Sequence, residues 1–313
     1  MRVGIVGAGI AGLMAGHAIA AGGHDVVVFD KGRSAGGRLA TRRIGAATVD
    51  HGAQFFTVRS EAFADHVDRW VRAGVVREWC RGFDAIDGHP RYVGVAGMNG
   101  VAKHLAAALD VRCGSLVFSV HATQGRQPWE LKLDDGSLHG FDALVMTCPL
   151  PQTFSLLVSA EVQMPEVLWR TGYDATLALL VVLDRPGAVP GPGGLQTDPN
   201  FTFVGDNQAK GISSVPALTF HATPAWSDEH WPDEPADAEA LLHEMARPWL
   251  GEATVLVSQL KRWRFATPRS IWPEAHWSPS ERSDLAVAGD AFAGPKVEGA
   301  ALSGLSAAAA LLA

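Results

Sequence analysis

A strand, a glycine-rich turn and a helix open the chain. Val3, Ile5 and Val6 make the apolar run of a buried strand. Gly7, Gly9 and Gly12 follow at the spacing Gly-x-Gly-x-x-Gly. In such a turn the first glycine permits the bend, the second lets the main chain approach a pyrophosphate, and the third lets the helix lie close to the sheet. Residues 10–21 are rich in alanine and suit that helix, and Gly22-Gly23 stop it. The N-terminus of the helix offers N–H groups to an anion. Val26–Phe29 form a second buried strand, and Asp30 at its end is placed to accept hydrogen bonds from an adenosine ribose. This order of parts predicts a Rossmann-like, dinucleotide-binding α/β fold and leaves the identity of the dinucleotide open.

Composition narrows the class. At 313 residues the chain has room for one large unit or two domains, and an apolar content of 47% predicts a substantial core. The formal charge of −7 argues against a general nucleic-acid binder. Cys80, Cys113 and Cys148 lack metal-ligand spacing and read as reduced thiols of a cytoplasmic protein, and no metal site is expected. The apolar stretches at 9–21 and 300–313 are too short to span a bilayer, and the second reads as a buried final helix. No membrane partner is expected, and the chain reads as a monomer or homodimer.

A second glycine turn, Gly36-Gly37-Arg38, and the block Asp50-His51-Gly52-Ala53-Gln54-Phe55-Phe56 follow the second strand. Residues 60–73 predict a helix capped by Ser60, with Phe63, Val67, Trp70 and Val71 on one face. Between 110 and 148 the pattern turns to short strands, with Asp134–Ser137 as a hairpin turn and Ala143–Met146 as a central strand. Further strands are expected at 176–183, 201–204, 217–221, 255–257 and 261–265, and a helix at 236–247 ended by Pro248. Most of the tryptophans fall in this strand-rich region, as pocket walls or as core. Leu285–Asp290 then returns to a buried strand, and a helix begins near Gly294–Ala300. The organisation expected is a dinucleotide domain of residues 1–55, 99–155 and 273–313, with a discontinuous mixed-sheet substrate domain of residues 56–98 and 156–272.

The set Gly7–Gly12, Asp30, Gly36-Gly37-Arg38, Gly289-Asp290 and Glu298-Gly299 resembles the flavoproteins that include amine oxidases and aromatic hydroxylases. More narrowly, Gly37–Arg43, Asp50–Phe56, Tyr92–Asn99 and Lys261–Ala266 resemble the renalase family, especially its bacterial members. The resemblance implies non-covalent FAD in a p-hydroxybenzoate-hydroxylase-like fold. It implies that Ala11, Asp30, Lys31 and Arg38 cradle the cofactor, with Gly7, Gly9, Gly12 and Gly37 in the turns around it. Gln54 and Phe55 would lie near the flavin ring and Val117 near the adenine. Asp290, Glu298 and Gly299 would close the ribityl and pyrimidine side. The implied reaction oxidises 2- and 6-dihydronicotinamide isomers of NAD(P)H to NAD(P)+, with O2 reduced to hydrogen peroxide.

On that reading the cofactor performs the redox step and the protein places the substrate. Arg38 is the strongest side-chain candidate for the cofactor pyrophosphate. Glu298 is expected to act through its backbone. His51 reads either as a base or as a structural hydrogen-bonding group, and Gln54 and Phe55 as the flavin-facing pair. Arg262 and Arg264 share one face of a strand and are candidates for holding substrate phosphates. Oxidation of an amine, aromatic hydroxylation and flavin binding without catalysis remain the competing readings.

Overall fold

The computed structural model describes residues 1–83 and 86–313. Strands Arg2–Val6 and Asp25–Asp30 pair in parallel, and the sheet grows on both sides of them. Its order is 285–287, 143–146, 2–6, 25–30, 110–113, with every neighbour parallel. Alternate side chains enter two different cores. Val3, Ile5, Val26 and Val28 face the helices Ile10–Ala21 and Lys296–Leu312. Val6, Val27, Phe29 and Leu144 face the three-stranded antiparallel sheet of 117–122, 129–133 and 138–141. Cover on both faces explains why these strands read as unbroken apolar runs. The final alanine-rich segment is a helix packed on the first, so close that a Cβ on Gly304 would stand 2.0 Å from the Ala11 carbonyl oxygen. No helix among the described residues is long and apolar enough to cross a membrane.

A second five-stranded sheet is antiparallel, ordered 194–195, 201–206, 217–222, 173–183, 255–268. Its long strand Tyr173–Leu183 again divides its side chains. Leu177, Leu179, Val181 and Leu183 pack with the helix Pro235–Leu250, while Leu180 and Val182 pack with the hairpin Thr41–Ile44/Ala47–Asp50. That hairpin joins the second sheet to the segment that follows Asp30. The chain thus belongs to the α/β class, with a Rossmann-like unit and a separate mixed-sheet region.

Three local expectations change. The strands expected at 255–257 and 261–265 are one strand, Val255–Pro268, because pairing with Tyr173–Leu183 carries the polar Ser258 and Gln259 through. Pro248 does not end its helix, which runs to Leu250. Proline removes one donor from the last turn, but Leu250 is buried there and Trp249 Nε1 donates to Asp198 across 2.9 Å. In the helix Glu61–Arg72, Ser60 caps the start and Phe63, Val67 and Trp70 are buried, but Val71 is 42% exposed. Val71 directly follows Trp70, about 100° further round the helix, and so lies off the buried stripe.

Candidate functional site

One cavity of about 1850 Å³ runs along the carboxyl ends of the parallel strands and under the antiparallel sheet. Its first wall is mostly main chain. The Gly7 N–H donates to the Phe29 carbonyl at 2.8 Å, which ties the glycine turn to the second strand. A Cβ on Gly12 would stand 2.0 Å from the Gly7 carbonyl oxygen, so only glycine lets the helix start this close. A Cβ on Gly9 would meet nothing within 4 Å, and the helix that Gly9 precedes has no side-chain cap. The site therefore presents open space in front of a helix N-terminus, as a pyrophosphate requires. Asp30 accepts from the N–H groups of Ala8 (2.7 Å) and Gly32 (2.6 Å), which aim its carboxylate along the cavity with acceptor capacity to spare. Ala11, Lys31, Gly37 and Val117 line the same wall.

At the far end the glycine turns meet the returning C-terminal segment. Arg38 donates to both carboxylate oxygens of Asp290, at 2.5 and 2.8 Å, and to the carbonyls of Phe265 and Ala266. The two groups expected to contact the cofactor are thus paired with each other, and together they fasten the antiparallel sheet to the parallel one. The Glu298 carboxylate is also engaged. It accepts from the N–H groups of Arg59 and Ser60 and from the Ser60 hydroxyl, at 2.7–2.9 Å, and so reinforces the start of the helix Glu61–Arg72. The backbone of Glu298 and Gly299 remains along the cavity.

The second wall is built from side chains. Beneath it lies the ion pair Lys210–Asp50, N to O 2.8 Å, with both side chains 0% exposed. Asp50 also accepts from the Thr41 hydroxyl (2.5 Å) and the Met98 N–H (2.9 Å). Burial pulls the Lys210 ammonium below its usual range, and the Asp50 charge works against that pull. Lys210 Nζ donates onward to Gln54 Oε1 at 3.2 Å, while Gln54 Nε2 donates to the carbonyls of Asp50 and Gly52. The Gln54 amide is therefore held in one orientation at the cavity surface. Phe55 sits beside it, packed against Trp79, Phe83 and Phe203 with ring centroids 5.3–6.4 Å apart.

His51 is 7% exposed and stacks on Trp263, centroids 5.4 Å apart. Its carbonyl accepts from Trp263 Nε1 and His221 Nε2, but its own Nδ1 has no partner. Burial, with the charges of Lys261 and Arg42, lowers its pKa to about 3. At neutral pH His51 is an uncharged imidazole and a weak proton acceptor.

The cavity gathers Gly7, Gly9, Gly37, Ala11, Asp30, Lys31, Arg38, His51, Gln54, Phe55, Val117, Arg264, Asp290, Glu298 and Gly299, while Gly12 packs behind the turn against the Gly7 carbonyl. It does not gather Arg262. That guanidinium lies over the Trp231 ring, 4.4 Å from its centroid, and donates to the Trp231 carbonyl, away from the cavity. The alternation that puts Arg262 there also sets the Arg264 guanidinium over Trp231, 5.6 Å from its centroid, so that Arg264 only borders the cavity, and it turns Lys261 and Trp263 inward. Trp263 is the one tryptophan lining the cavity among the described residues. Lys210 carries no sequence signal, since a lone lysine in a turn gains its meaning only from contacts 156 and 160 positions away. Among the described residues no cluster of His, Cys, Asp or Glu could hold a metal.

Known proteins match this arrangement. A family model for an NAD(P)-binding Rossmann-like domain matches residues 5–70, and one for flavin containing amine oxidoreductase matches residues 57–312. Renalase of Mus musculus is 24% identical over 239 residues, covering 69% of each chain. Among solved structures, a candidate protoporphyrinogen oxidase from Exiguobacterium superposes with a TM-score of 0.75 at 13% identity over 98% of both chains. A fatty acid isomerase from P. acnes that produces CLA superposes with a TM-score of 0.68 at 12% identity over 97% of both chains. The open space before Gly9, the acid at Asp30 and the second glycine turn fit an adenine dinucleotide lying along the first wall. The chain belongs to the flavin containing amine oxidoreductase family and is an FAD-dependent oxidoreductase.

Proposed function

We propose that this protein oxidises the 2- and 6-dihydronicotinamide isomers of NAD(P)H. FAD would be held by residues 1–55, 99–155 and 273–313, and the substrate received by residues 56–98 and 156–272. The observation that carries this reading is the state of the acids along the cavity. Asp30 is aimed by two backbone N–H groups, Asp290 is paired with Arg38, and Glu298 is bonded to Arg59 and the helix cap Ser60. No other carboxylate lines the cavity among the described residues. Asp30 lies on the main-chain wall, so a protonated amine against the side-chain wall would find no carboxylate there, and desolvating it would be costly. A flat, anionic dinucleotide meets aromatic faces and cations instead.

FAD, when bound, supplies the hydride acceptor and passes two electrons to O2, giving hydrogen peroxide. The chain's own groups supply placement. Phe55 and Phe203 form a flat apolar wall backed by Trp79 and Phe83. Gln54, fixed by Lys210, offers an oriented amide. His51 and Trp263 offer a second flat face. Loss of hydride from a dihydronicotinamide leaves an aromatic cation directly, so no proton need be taken by the protein. The weak basicity of His51 agrees with that route. The renalase similarity supports the same reading.

Anaerobic mixing of the yellow holoprotein with separated 2-, 4- and 6-dihydro isomers tests it. Rapid bleaching by the 2- or 6-isomer, with ordinary NADH slow, is the expected result. Bleaching by an amine alone, or consumption of ordinary NADPH coupled to hydroxylation of an aromatic compound, would overturn it.

A further inference from the structure

We infer that Arg42 and Lys261 form an anion subsite for the pyrophosphate of the dinucleotide substrate, separate from the glycine turn that takes the cofactor. This rests on the proposed dihydronicotinamide activity for the identity of the ligand. It rests on geometry for the site itself.

Arg42 lies on the hairpin strand Thr41–Ile44, and Lys261 on the antiparallel strand Val255–Pro268. Gln259 joins the two elements, accepting from Arg42 Nη1 at 2.8 Å. Gln259 and Lys261 are two residues apart and so share a face of their strand. Both cations line the cavity, and neither makes an ion pair with an acid among the described residues. Arg38 in the same cavity is fully paired, so the contrast is local.

A second observation points to a ligand. His51 is buried beside this pair, its Nδ1 lacks a partner, and its ring faces the same cavity. Trp263 fills the space between, with Lys261 Nζ 5.3 Å from its ring centroid and the His51 ring stacked on it. Two unneutralised cations beside a flat aromatic face match a phosphate carried, through a ribose, on a planar base. Arginine supplies a fork to phosphate oxygens, and lysine supplies a point charge. Lys261 is half-buried, which strengthens its attraction relative to water, while Arg42 is exposed and reaches the anion from the rim. The substrate's two phosphate charges would complete a cluster that is otherwise self-repelling.

The test titrates FAD-saturated holoprotein with inorganic pyrophosphate, followed by tryptophan emission, in the wild type and in Arg42→Met, Lys261→Met and Arg43→Met. Arg43 is the next residue along and lies outside the cavity. The expected result is a Kd raised tenfold or more in Arg42→Met and Lys261→Met, with a shallower salt dependence, and a wild-type Kd in Arg43→Met. NAD+ is expected to displace pyrophosphate from the wild type. Equal binding in all four proteins, no binding to the wild type, or no displacement by NAD+ would overturn the subsite. The two readings fail separately. Dihydro isomers that bleach the flavin while pyrophosphate ignores Arg42 and Lys261 would remove the subsite and leave the activity. Pyrophosphate and NAD+ binding at the pair without bleaching by any isomer would remove the activity and leave the subsite.

Discussion

On the parallel-sheet side of the cavity, the surface is made by Gly7, Gly9 and Gly37 and by N–H groups that steer Asp30. On the antiparallel side it is made by His51, Gln54, Phe55 and Trp263, each held by a partner from elsewhere in the chain, and by Lys261. A main-chain wall tolerates few side chains and grips what all adenine dinucleotides share. A side-chain wall can be altered residue by residue, and its shape depends on a buried polar network beneath it. On the proposed function, recognition of the common cofactor and choice of substrate would fall to different chemistry.

That contrast can be broken most strongly from below the side-chain wall. Lys210→Met leaves the Asp50 carboxylate buried without its counter-charge and removes the donor that orients Gln54. It should cost about 3–5 kcal/mol in urea unfolding. Lys210→Met with Asp50→Asn should recover part of that loss. A double variant no more stable than the single one would show that the pair is not the cause.

The main-chain wall should fail differently. Gly12→Ala forces a Cβ against the Gly7 carbonyl oxygen, 2.0 Å away, and should weaken FAD binding by about 100-fold, or about 2.8 kcal/mol. Gly9→Ala places its methyl in open space, so the apoprotein should unfold at the wild-type urea concentration while FAD is still lost. Full FAD occupancy in Gly9→Ala, read from visible absorbance after gel filtration, would mean that the cofactor does not pass over this residue.

A smaller effect belongs to pH. The folded pKa of His51 is about 3 and that of His221 about 4, both below the unfolded value of 6.5 and both mainly through burial. The unfolded rings take up protons near pH 6.5 while the folded rings resist. Stability is therefore complete above that pH and falls as the pH drops toward 4 and then 3. At pH 5 the His51 contribution is a loss of about 2 kcal/mol. His51→Gln should flatten the fall in urea midpoint between pH 7 and pH 5. An unchanged slope would place the sensitivity elsewhere.

The same contrast decides how much of the molecule is legible in its amino-acid sequence. The glycine spacing and Asp30 identify the first wall because main-chain contacts impose residue types at fixed local distances. The Rossmann-like unit, the return of the chain at Leu285 and the final helix follow from that and from unbroken apolar runs. The second wall is only partly legible. Gln54 and Phe55 are reachable through a motif that spans a few residues. The choice of Lys261 over Arg262 depends on which face of a 14-residue strand turns inward, and polar residues on both faces hide it. The sequence expects Glu298 to act through its backbone and gives no sign that its carboxylate binds Arg59 and Ser60, some 240 positions away. Pro248 reads as a helix end because tertiary packing of the last turn leaves no local trace.

Arg38 has a consequence for how the molecule comes into being. Its guanidinium needs Asp290 and the carbonyls of Phe265 and Ala266, all made more than 220 residues later. The edge strand Leu285–Val287 and the helix packed on the first helix also come from the end of the chain. During synthesis the glycine turns leave the ribosome more than 220 residues before the partners that close over them. Secure loading of a cofactor would therefore wait for residues 265–290, and a segment made early would be locked in place late.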